Sequence, residues 1–519
     1  MRIFAYKPGH DGHVALVEDG RLAFSIEAEK DSGPRYAPIS SELLLHGLSL
    51  ADGPVDIVAV SGWMRSFRPM ADPIGSGYFG ADTALSTDVP YKLAGRDIRH
   101  FSSSHERSHI IGSYAMSPWP QGEPCYALVW EGVIGAFYHV DEKLNVTRLG
   151  TPMTGPGHKY GFLYGLADPC YPADARKSRR EDAGKLMALA GFGHETAETP
   201  EERTLVERLL DWDATKAPLR KAGFTDTPFF DIGLDSQDFR NLARRFQTEI
   251  FERFRRYAEK NLTDGLPLLI SGGCGLNCDW NSMWRGSGLF ADTFVQPCAN
   301  DSGSAIGTAA DAMLHHTGKA KLDWSVYAGE DFIANEADLS GFTVLPLDLS
   351  DMAKRLAGGA VFAWVQGKYE IGPRALGNRS LIAAPFTAET HMRLNAIKKR
   401  EGFRPIAPIL MEDELDRLFE HQGPSPHMLY FQRVRSDALK AVTHVDGSAR
   451  AQTVRRDENT RMYELLSAFK KETGYGVLCN TSLNFNGKGF INRLSDLVRY
   501  ARDTGLDGFV AGDTLYLRV

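Results

Sequence analysis

Short apolar strands alternate with longer amphipathic helices along the whole chain, and this alternation constrains the fold more than any other feature. An Asp19-Gly20 turn joins two alternating strands near the start, and apolar residues recur every three or four positions over 236–262. Mixed periods of this kind predict an α/β protein. The predicted strands are 1–6, 13–20, 21–27, 55–62, 125–140, 267–273, 360–367, 380–385 and 475–482, and the predicted helices are 236–262, 302–316, 387–400 and 457–472.

Residues 317–350 are polar and lack a regular apolar period, so we place a domain boundary in this segment. We expect one domain over 1–335 and a second over 336–519, a division that suits a chain of 519 residues. The sequence begins without an apolar signal core and contains no run of 18 apolar residues. We therefore expect a cytoplasmic protein that makes no membrane contact.

The composition, 43% hydrophobic and 24% charged, is that of an ordinary globular protein, and the formal net charge is −7. Bulk nucleic-acid binding requires a basic surface, so the acidic balance argues against a nucleic-acid partner. The six cysteines include no C-x-x-C pair, which indicates neither a disulfide framework nor a zinc ribbon. We expect these cysteines to be reduced and mostly buried.

A basic segment contrasts with the acidic total: residues 371–408 contain seven cations, framed by glycines and prolines. Arginine binds phosphate or carboxylate through paired N–H groups, and such charge-assisted hydrogen bonds are about twice as strong as neutral ones. The basic run at 398–400 alone would also fit a solvated helix face. Arg374, Arg379 and Arg404 do not share its helical spacing, and we therefore predict a pocket for a small dianion.

Two histidine motifs in the first half are candidates for chemistry. His10 lies in a Pro-Gly-His-Asp-Gly turn after the first strand, where it fits either a catalytic or a structural role. His105 and His109 are four residues apart, so on a helix both imidazoles face one side and can bind a single metal ion. Glu131 and Asp301 are acidic residues that can complete the ligand set, which suits Fe(II), Mn(II) or Zn(II).

A glycine-rich turn is predicted where a buried strand runs into a helix. Its residues Gly272, Gly273 and Asn277 are typical of a turn that holds phosphate at a helix N-terminus, but their spacing excludes a Walker P-loop. Together with Gly184-Lys185, this pattern resembles the actin/Hsp70/sugar-kinase (ASKHA) superfamily, whose nucleotide cleft is built from glycine turns on two halves.

The order of motifs along the chain resembles one family over essentially the whole length. These motifs are, in chain order, GHDG, HxxxH, GKLMALAGFG, SGGCGLN, DSGSAIG, GPRALGNRS, KREGFRPIAP, HVDGSARAQTV and CNTSLN. The family is that of the O-carbamoyltransferases of antibiotic and nodulation-factor biosynthesis, which includes the tobramycin enzyme. The PGHDG start and the WEG motif most resemble its cephalosporin 3-hydroxymethyl branch.

The resemblance implies an N-terminal ASKHA-like domain, similar to the tRNA threonylcarbamoyl-transfer ATPase-like fold, followed by a C-terminal YrdC-like domain. In the second domain, carbamoyl phosphate and ATP with Mg²⁺ would yield carbamoyl adenylate. In the first domain, the carbamoyl group would pass to the alcohol of a small-molecule acceptor. The resemblance makes His10 the catalytic histidine of that transfer.

The resemblance also implies binding residues. Iron would be held by His105, His109 and Asp301, and the fourth position stays open because the family commonly has aspartate where this chain has Glu131. The residues matched to the two phosphorylated substrates, with Arg374 and Arg404 given a catalytic part, are Arg374, Arg379, Lys399, Arg404 and Arg450, and the adjoining motifs supply His444, Asn480 and Ser482.

Other classes of protein remain as alternatives. A non-catalytic ATP-binding switch of the Hsp70 kind would not require the arginine-rich second domain. A tRNA threonylcarbamoyl-type transferase would present a basic face to RNA, and a hydrogenase-maturation-type protein would carry C-x-x-C pairs. Four apolar residues at 62–80 fit equally an acceptor site and packing beneath a loop: Trp63, Met64, Phe67 and Met70.

Overall fold

The computed structural model describes residues 1–63, 75–175 and 179–519, so Met64, Phe67 and Met70 lie outside the described residues. The chain divides into two compact units. The first unit combines Met1–Met116 with Asp301–Val519, and the second unit is Ser117–Asn300. The predicted α/β class is confirmed, because each unit contains both helices and a sheet. The predicted domain boundary after residue 335 stays a prediction.

The secondary structure alternates as the sequence predicts. The helices are α1 (Ser41–Leu50), α2 (His105–Met116), α3 (Pro156–Ala167), α4 (Asp182–Ala190), α5 (Pro200–Leu210), α6 (Gln237–Asn261), α7 (Cys278–Arg285), α8 (Ser304–Thr317), α9 (Leu349–Ala357), α10 (Ala388–Ile397), α11 (Leu415–Leu418), α12 (Thr460–Thr473) and α13 (Leu494–Thr504). The strands are β1 (Arg2–Lys7), β2 (His13–Glu18), β3 (Arg21–Glu27), β4 (Ile57–Ser61), β5 (Thr87–Leu93), β6 (Arg96–Ser103), β7 (Cys125–Trp130), β8 (Gly135–Val140), β9 (Val146–Gly150), β10 (Leu268–Ser271), β11 (Thr293–Val295), β12 (Phe342–Pro346), β13 (Phe362–Val365), β14 (Arg379–Ala383), β15 (Ala407–Met411), β16 (Phe419–Glu420), β17 (Gln432–Val434), β18 (Ser448–Ala449), β19 (Gln452–Val454), β20 (Val477–Ser482), β21 (Gly508–Ala511) and β22 (Thr514–Arg518).

The first sheet of the first unit has six strands in the order β3-β2-β1-β4-β6-β5. β4 is parallel to both β1 and β6, and the other neighbours are antiparallel. The predicted hairpin between β2 and β3 is confirmed: Asp19 and Gly20 both have positive φ, 48° and 88°, as the tight turn between two twisted strands requires. The β5–β6 pair was not predicted.

Two helices, α2 and α8, pack against each other beside this sheet, and α8 also contacts β1, β2 and β4. Their close approach depends on Gly307, because a Cβ at that position would lie 1.9 Å from the Ser108 carbonyl oxygen. Every residue of α2 is buried. The pair therefore forms a rigid support for the side chains at the start of each helix.

The second sheet of the first unit has eight strands in the order β12-β22-β21-β13-β14-β20-β15-β19, and a small third sheet has the order β16-β17-β18. Apolar residues of α9 and α12 pack on one face of the large sheet, where Met352, Leu356, Leu465 and Phe469 are buried. The predicted helices at 387–400 and 457–472 are confirmed as α10 and α12. The first of them ends earlier than predicted, at Ile397.

The second unit contains a five-stranded sheet in the order β11-β10-β7-β8-β9. Helix α6 confirms the predicted apolar stripe, since Phe239, Leu242, Phe246, Ile250 and Phe254 are all buried. The six cysteines, which all lie in the described ranges, form no disulfide, and all except Cys170 are buried. Within the described ranges, no helix combines the length and the apolar character needed to cross a membrane.

Candidate functional site

Three predicted metal ligands meet in the first unit. α2 begins at His105, and Asp301 stands just before α8, so the α2–α8 contact brings their side chains together. The Nε2 atoms of His105 and His109 are 3.2 Å apart. Asp301 Oδ1 lies 3.5 Å from His105 Nε2 and 3.6 Å from His109 Nε2. All three side chains are buried.

The spacing of these three atoms fits a single metal ion. Ligand atoms at about 2.0–2.1 Å from one ion are about 2.8–3.4 Å apart in octahedral or tetrahedral geometry. The observed distances of 3.2, 3.5 and 3.6 Å are within about 0.2 Å of that range. Burial by itself would raise the pKa of Asp301, but Lys7 and His105 outweigh it and hold the pKa well below its usual range. Asp301 is therefore an ionised carboxylate, the form in which it can bind a cation.

His10 lies beside this group, and its ring is oriented by a carboxylate. Its Nδ1 is 2.7 Å from Asp11 Oδ2, and its Nε2 is 3.6 Å from Asp301 Oδ2. The ring contacts the Trp63 indole edge to face, with centroids 5.1 Å apart. Lys7 lies 2.8 Å from Asp301 Oδ2 and donates a hydrogen bond to the backbone carbonyl of His10. A histidine held in this way by a carboxylate is arranged as a general base is.

Glu131, the fourth metal candidate, lies in the second unit directly after β7 and is 3% exposed. Its backbone is fixed there, since its N–H donates to the Ile134 carbonyl over 2.7 Å and its own carbonyl accepts from Gly157 N over 2.9 Å. Its role as a metal ligand stays a prediction.

The predicted phosphate turn also lies in the second unit. Gly272 has φ +90° and donates to the Ala299 carbonyl over 2.7 Å, and Gly273 has open space where a Cβ would stand. Asn277 caps α7, its Oδ1 accepting from Asp279 N over 3.1 Å and from Trp280 N over 3.3 Å. Within the described part of the chain, its buried Nδ2 has no hydrogen-bond partner.

The other predicted nucleotide residues of this unit are on α4. Gly184 has open space around its Cα, so the backbone can be approached closely there. Lys185 Nζ lies 3.5 Å from Asp182 Oδ1 and 5.5 Å from the centroid of the Tyr164 ring. Both features are compatible with a bound phosphate, and the assignment stays a prediction.

In the first unit, the basic segment forms a cluster of cations that lie close enough to repel one another. Burial and then Arg400, Arg404 and Arg35 lower the pKa of Lys398 well below its usual value. Burial, Arg404 and Arg450 lower the pKa of Arg400 to about 9. Burial and Arg450 also lower the pKa of Arg404, against the opposite effect of Glu401. We call Arg35, Lys398, Arg400, Arg404 and Arg450 the cation cluster.

The inward lysine of this segment is Lys398, whereas the sequence resemblance pointed to Lys399. Lys399 has φ +48° and an exposed side chain, because the chain turns out of α10 at that residue. Lys398 Nζ is buried and donates to the Ser482 carbonyl over 2.6 Å, to the Asn484 carbonyl over 3.2 Å and to Asn484 Oδ1, so protein acceptors use its three N–H groups. The left-handed conformation at 399 therefore decides which of the two ammonium groups enters the cluster.

Arg379 is placed apart from the cluster, and protein acceptors use its whole guanidinium group. Nε and Nη2 donate to Asn492 Oδ1, over 3.1 and 2.8 Å. The remaining N–H groups donate to the carbonyls of Gln366, Asn378 and Gly367 over 2.7–2.8 Å. Since guanidinium has five N–H donors, this arginine holds strand ends together in the structure, and contact with a substrate stays a prediction.

Arg374 is half-buried on a loop that is tied at several backbone positions. The carboxylate of Glu370 accepts the N–H groups of Leu376 and Asn378, each over 2.7 Å. Asn480 Nδ2 donates to the Ala375 carbonyl over 2.9 Å. Arg374 is therefore presented from a fixed backbone.

β20 links this loop to the cation cluster. Asn480 holds the loop, and two residues later the Ser482 carbonyl accepts from Lys398. Asn480 Oδ1 is buried and has no hydrogen-bond partner among the described residues. His444, the remaining candidate, is buried in a tight turn, where its N–H donates to the Ser448 carbonyl over 2.8 Å.

Sequence reasoning missed several residues of these sites. Lys7 lies one position beyond the predicted strand 1–6, directly before the Pro-Gly-His-Asp-Gly turn, and a lysine at the end of a buried strand was a usable signal. Glu370 stands two residues before Gly372, where the GPRALGNR motif begins, and a carboxylate so close to two arginines was another usable signal. Arg35 gave no signal, because its place in the cluster depends on the path of the chain after β3.

Comparisons with known proteins point to one family. The family model for the carbamoyltransferase C-terminus matches residues 353–518, and the model for the carbamoyltransferase N-terminus matches residues 236–310. Both matches follow the chain order expected from their names.

Curated relatives are similar over the full length. The 3'-hydroxymethylcephem-O-carbamoyltransferase of Amycolatopsis lactamdurans is 48% identical over 520 residues, covering 100% of this chain and 99% of that protein. Nodulation protein U of Rhizobium tropici is 35% identical over 545 residues, covering 94% of this chain and 92% of that protein. Among solved structures, the activator of the 2-hydroxyisocaproyl-CoA dehydratase from Clostridium difficile has a TM-score of 0.33 and 10% identity, covering 62% of this chain and 100% of that chain.

Proposed function

This chain belongs to the carbamoyltransferase family, and from that premise we propose that it moves a carbamoyl group from carbamoyl phosphate to the hydroxyl of a small natural product. The transfer would proceed through carbamoyl adenylate, made with ATP and Mg²⁺. The similarity over the full length to a 3'-hydroxymethylcephem-O-carbamoyltransferase makes a hydroxymethyl group on a cephem-like ring the first acceptor to test.

One observation carries the proposal: the cation cluster is partly buried and has few anions of its own. Two of the five cations have a carboxylate nearby: Arg35 lies 3.1 Å from Glu29, and Arg404 lies 3.9 Å from Glu401. Arg400 donates to the neutral Asn395 over 2.6 Å. The buried Nε of Arg450 has no hydrogen-bond partner among the described residues. Repulsion between the cations and their loss of hydration raise the free energy of the cluster, and binding of a dianion lowers it. Carbamoyl phosphate and ATP both carry the negative charge that this requires.

In the first half-reaction, the enzyme must neutralise the negative charge of the two phosphorylated substrates. Water releases phosphate from carbamoyl phosphate, the carbamate oxygen attacks the α-phosphorus of ATP, and pyrophosphate leaves. Negative charge accumulates on the phosphoryl oxygens, and fixed cations around them lower the barrier without reorganisation. We infer that Arg404 and Arg450 supply such cations, that Lys398 adds its buried positive charge, and that Arg374 acts from its own loop.

In the second half-reaction, the acceptor alcohol attacks the carbamoyl carbon and AMP leaves. The alcohol must lose a proton, and we propose that His10 accepts it at Nε2, since Asp11 holds Nδ1 over 2.7 Å. We further propose that His105, His109 and Asp301 hold a divalent metal ion, with iron(II) as the first candidate. When bound, such an ion supplies Lewis acidity beside His10.

The direct test supplies the enzyme with ATP, Mg²⁺, isotopically labelled carbamoyl phosphate and a 3-hydroxymethylcephem. Mass spectrometry should show a product heavier by one labelled carbamoyl group, and omission of ATP should abolish it. A cephem with a 3-methyl group in place of the hydroxymethyl group is the matched control and should gain nothing. Failure of the hydroxymethyl compound, together with absence of pyrophosphate exchange that depends on carbamoyl phosphate, would contradict the proposal.

A further inference from the structure

Two buried side chains from the end of the first hairpin hold both polar backbone atoms of Gly372. Glu27 Oε1 accepts the Gly372 N–H over 2.6 Å, and Lys30 Nζ donates to the Gly372 carbonyl over 2.6 Å. The Lys30 ammonium and the Glu27 carboxylate are 3.5 Å apart, and the two residues are 5% and 4% exposed. We call these three residues the glycine clamp.

Burying the charges of the glycine clamp costs folding free energy, so the clamp is expected where the position of the backbone must be fixed. A buried charge loses its hydration, and a buried pair regains that free energy only with good geometry and further hydrogen bonds. Here the further hydrogen bonds all go to one peptide position. The Lys30 ammonium also lies 4.0 Å from the centroid of the Phe490 ring, so its surroundings are aromatic rather than aqueous.

Gly372, the residue held by the clamp, sets the direction of the backbone that leads to Arg374. Gly372 has φ +81°, a conformation that favours glycine, and Arg374 follows two residues later. Beyond Arg374, the Ala375 carbonyl accepts from Asn480 and the Leu376 N–H donates to Glu370. The backbone is therefore fixed on both sides of Arg374, and the clamp is the fixed point on the N-terminal side.

We propose that Glu27 and Lys30 are positioning residues for carbamoyl-adenylate formation, acting through Gly372 on the approach of Arg374 to a phosphoryl group. The inference rests on the proposed function. It adds that the end of the first sheet takes part in a half-reaction predicted for residues 336–519. A shift of about 1 Å in a group that binds the transition state can cost about 100-fold in rate.

The test measures each half-reaction separately in the full-length enzyme. Lys30→Met removes the donor to Gly372 and keeps the length of the side chain. It should lower pyrophosphate exchange dependent on carbamoyl phosphate by about 100-fold. Transfer from synthetic carbamoyl adenylate to the acceptor should stay within about threefold of wild type, which a general loss of folding would not allow. Lys354→Met, the same change at an exposed lysine of α9, is the matched control and should leave both rates unchanged.

A second pair of variants tests the carboxylate. Glu27→Gln keeps an oxygen acceptor for the Gly372 N–H and should retain most of the exchange rate, whereas Glu27→Leu lacks the acceptor and should match Lys30→Met. Unchanged exchange in Lys30→Met would overturn the inference. So would a parallel fall of exchange and transfer in Lys30→Met and Glu27→Leu, which would show structural support alone. Absence of exchange in the unmodified enzyme would instead overturn the proposed function, and the clamp with it.

Discussion

The Lys398 ammonium donates a 2.6 Å hydrogen bond to the backbone carbonyl of Ser482, from a buried position among arginines. An ammonium in such a place has lost water and gained like-charged neighbours, so an anion stabilises it more than it would an exposed lysine. Its neighbour Lys399 is exposed. The two adjacent lysines therefore offer a direct comparison.

We expect Lys398→Met to lower pyrophosphate exchange by about 100-fold or more, because a buried positive charge that stabilises the phosphoryl groups is lost. Lys399→Met should lower it by less than about threefold, since side chains on the surface rarely contribute more. The rates are measured under the same conditions, with the melting temperature of each variant as the control for folding. The reverse order of effects would show that the chain leaves α10 differently when substrate binds.

The affinity of the cation cluster for a dianion should fall as the pH rises. Burial, Arg400 and Arg404 lower the pKa of Lys398, so its ammonium loses its proton at a lower pH than usual, and the charged form is the one that binds. Sulfate is a suitable probe because it stays a dianion across the range. Calorimetric titration between pH 6 and pH 9 should show weaker binding at higher pH and proton uptake on binding. In Lys398→Met both effects should shrink, and an unchanged pH dependence in that variant would assign it to another group.

Metal content should depend on the His105, His109 and Asp301 group. Loss of two ligands of three leaves too few donors for tight binding, so the double variant His105→Ala/His109→Ala should contain less than about a tenth of the wild-type iron. Elemental analysis of protein purified without chelator provides the measurement. A matched control is His46→Ala/His421→Ala, which removes two histidines that each pair with a single carboxylate, Glu330 and Asp416, and should retain the metal. Equal metal content in the two double variants would contradict the assignment.

The two half-reactions should separate genetically. Arg374→Ala should lower carbamoyl-adenylate formation by about two to three powers of ten and should regain transfer when synthetic carbamoyl adenylate is supplied. His10→Asn should still exchange pyrophosphate but lose about 10²–10⁴-fold in transfer, and supplied adenylate should not rescue it. Each variant serves as the control for the other. If His10→Asn abolished exchange as well, His10 would belong to substrate binding or to the fold.

Stability should depend on the protonation of Glu27. Burial raises the pKa of Glu27 from about 4.5 to about 7. Lys30 lowers this pKa in part, and Glu29 raises it further. The folded state therefore holds a proton that the unfolded state releases, and this contribution is fully present below pH 4.5 and is lost as the pH rises through 7. The slope is at most about 1.4 kcal/mol per pH unit. We expect the melting temperature of wild type to fall between pH 5 and pH 7.5 relative to that of Glu27→Gln, measured by calorimetry, and parallel curves would contradict it.

The sequence was sufficient to predict the secondary structure that depends on local residue patterns and the family that depends on the order of motifs. The α/β alternation, the Asp19-Gly20 hairpin, the α6 stripe and the family all follow from such patterns. It was not sufficient where a contact joins distant segments. The acceptors that occupy Arg379 come from residues 366, 367, 378 and 492, and none of these is visible as a partner in the primary sequence.

The sequence could not distinguish the surroundings of Lys398 from those of Lys399, for a different physical reason. Adjacent lysines have the same chemistry, and the helix period alone does not say where a helix ends. The positive φ at Lys399 closes α10 and turns that ammonium outward. The φ angle of Lys399 therefore determines which of the two lysines is buried, and the residue types alone do not.

The insertion of the second unit between the two parts of the first has a consequence for biosynthesis. Arg493 binds Asp31 over 2.6 Å, and Lys30 binds the Gly372 carbonyl, so the first hairpin is completed by residues made hundreds of positions later. At about 5–20 residues per second, ribosomal synthesis of the chain lasts on the order of a minute. Ser117–Asn300 is continuous and can fold during that time. Glu27 and Lys30 cannot form their hydrogen bonds to Gly372 until that residue has been synthesised. Nascent chains stalled before residue 372 should therefore expose the N-terminal hairpin to proteases and chaperones, and release of the C-terminus should end that exposure.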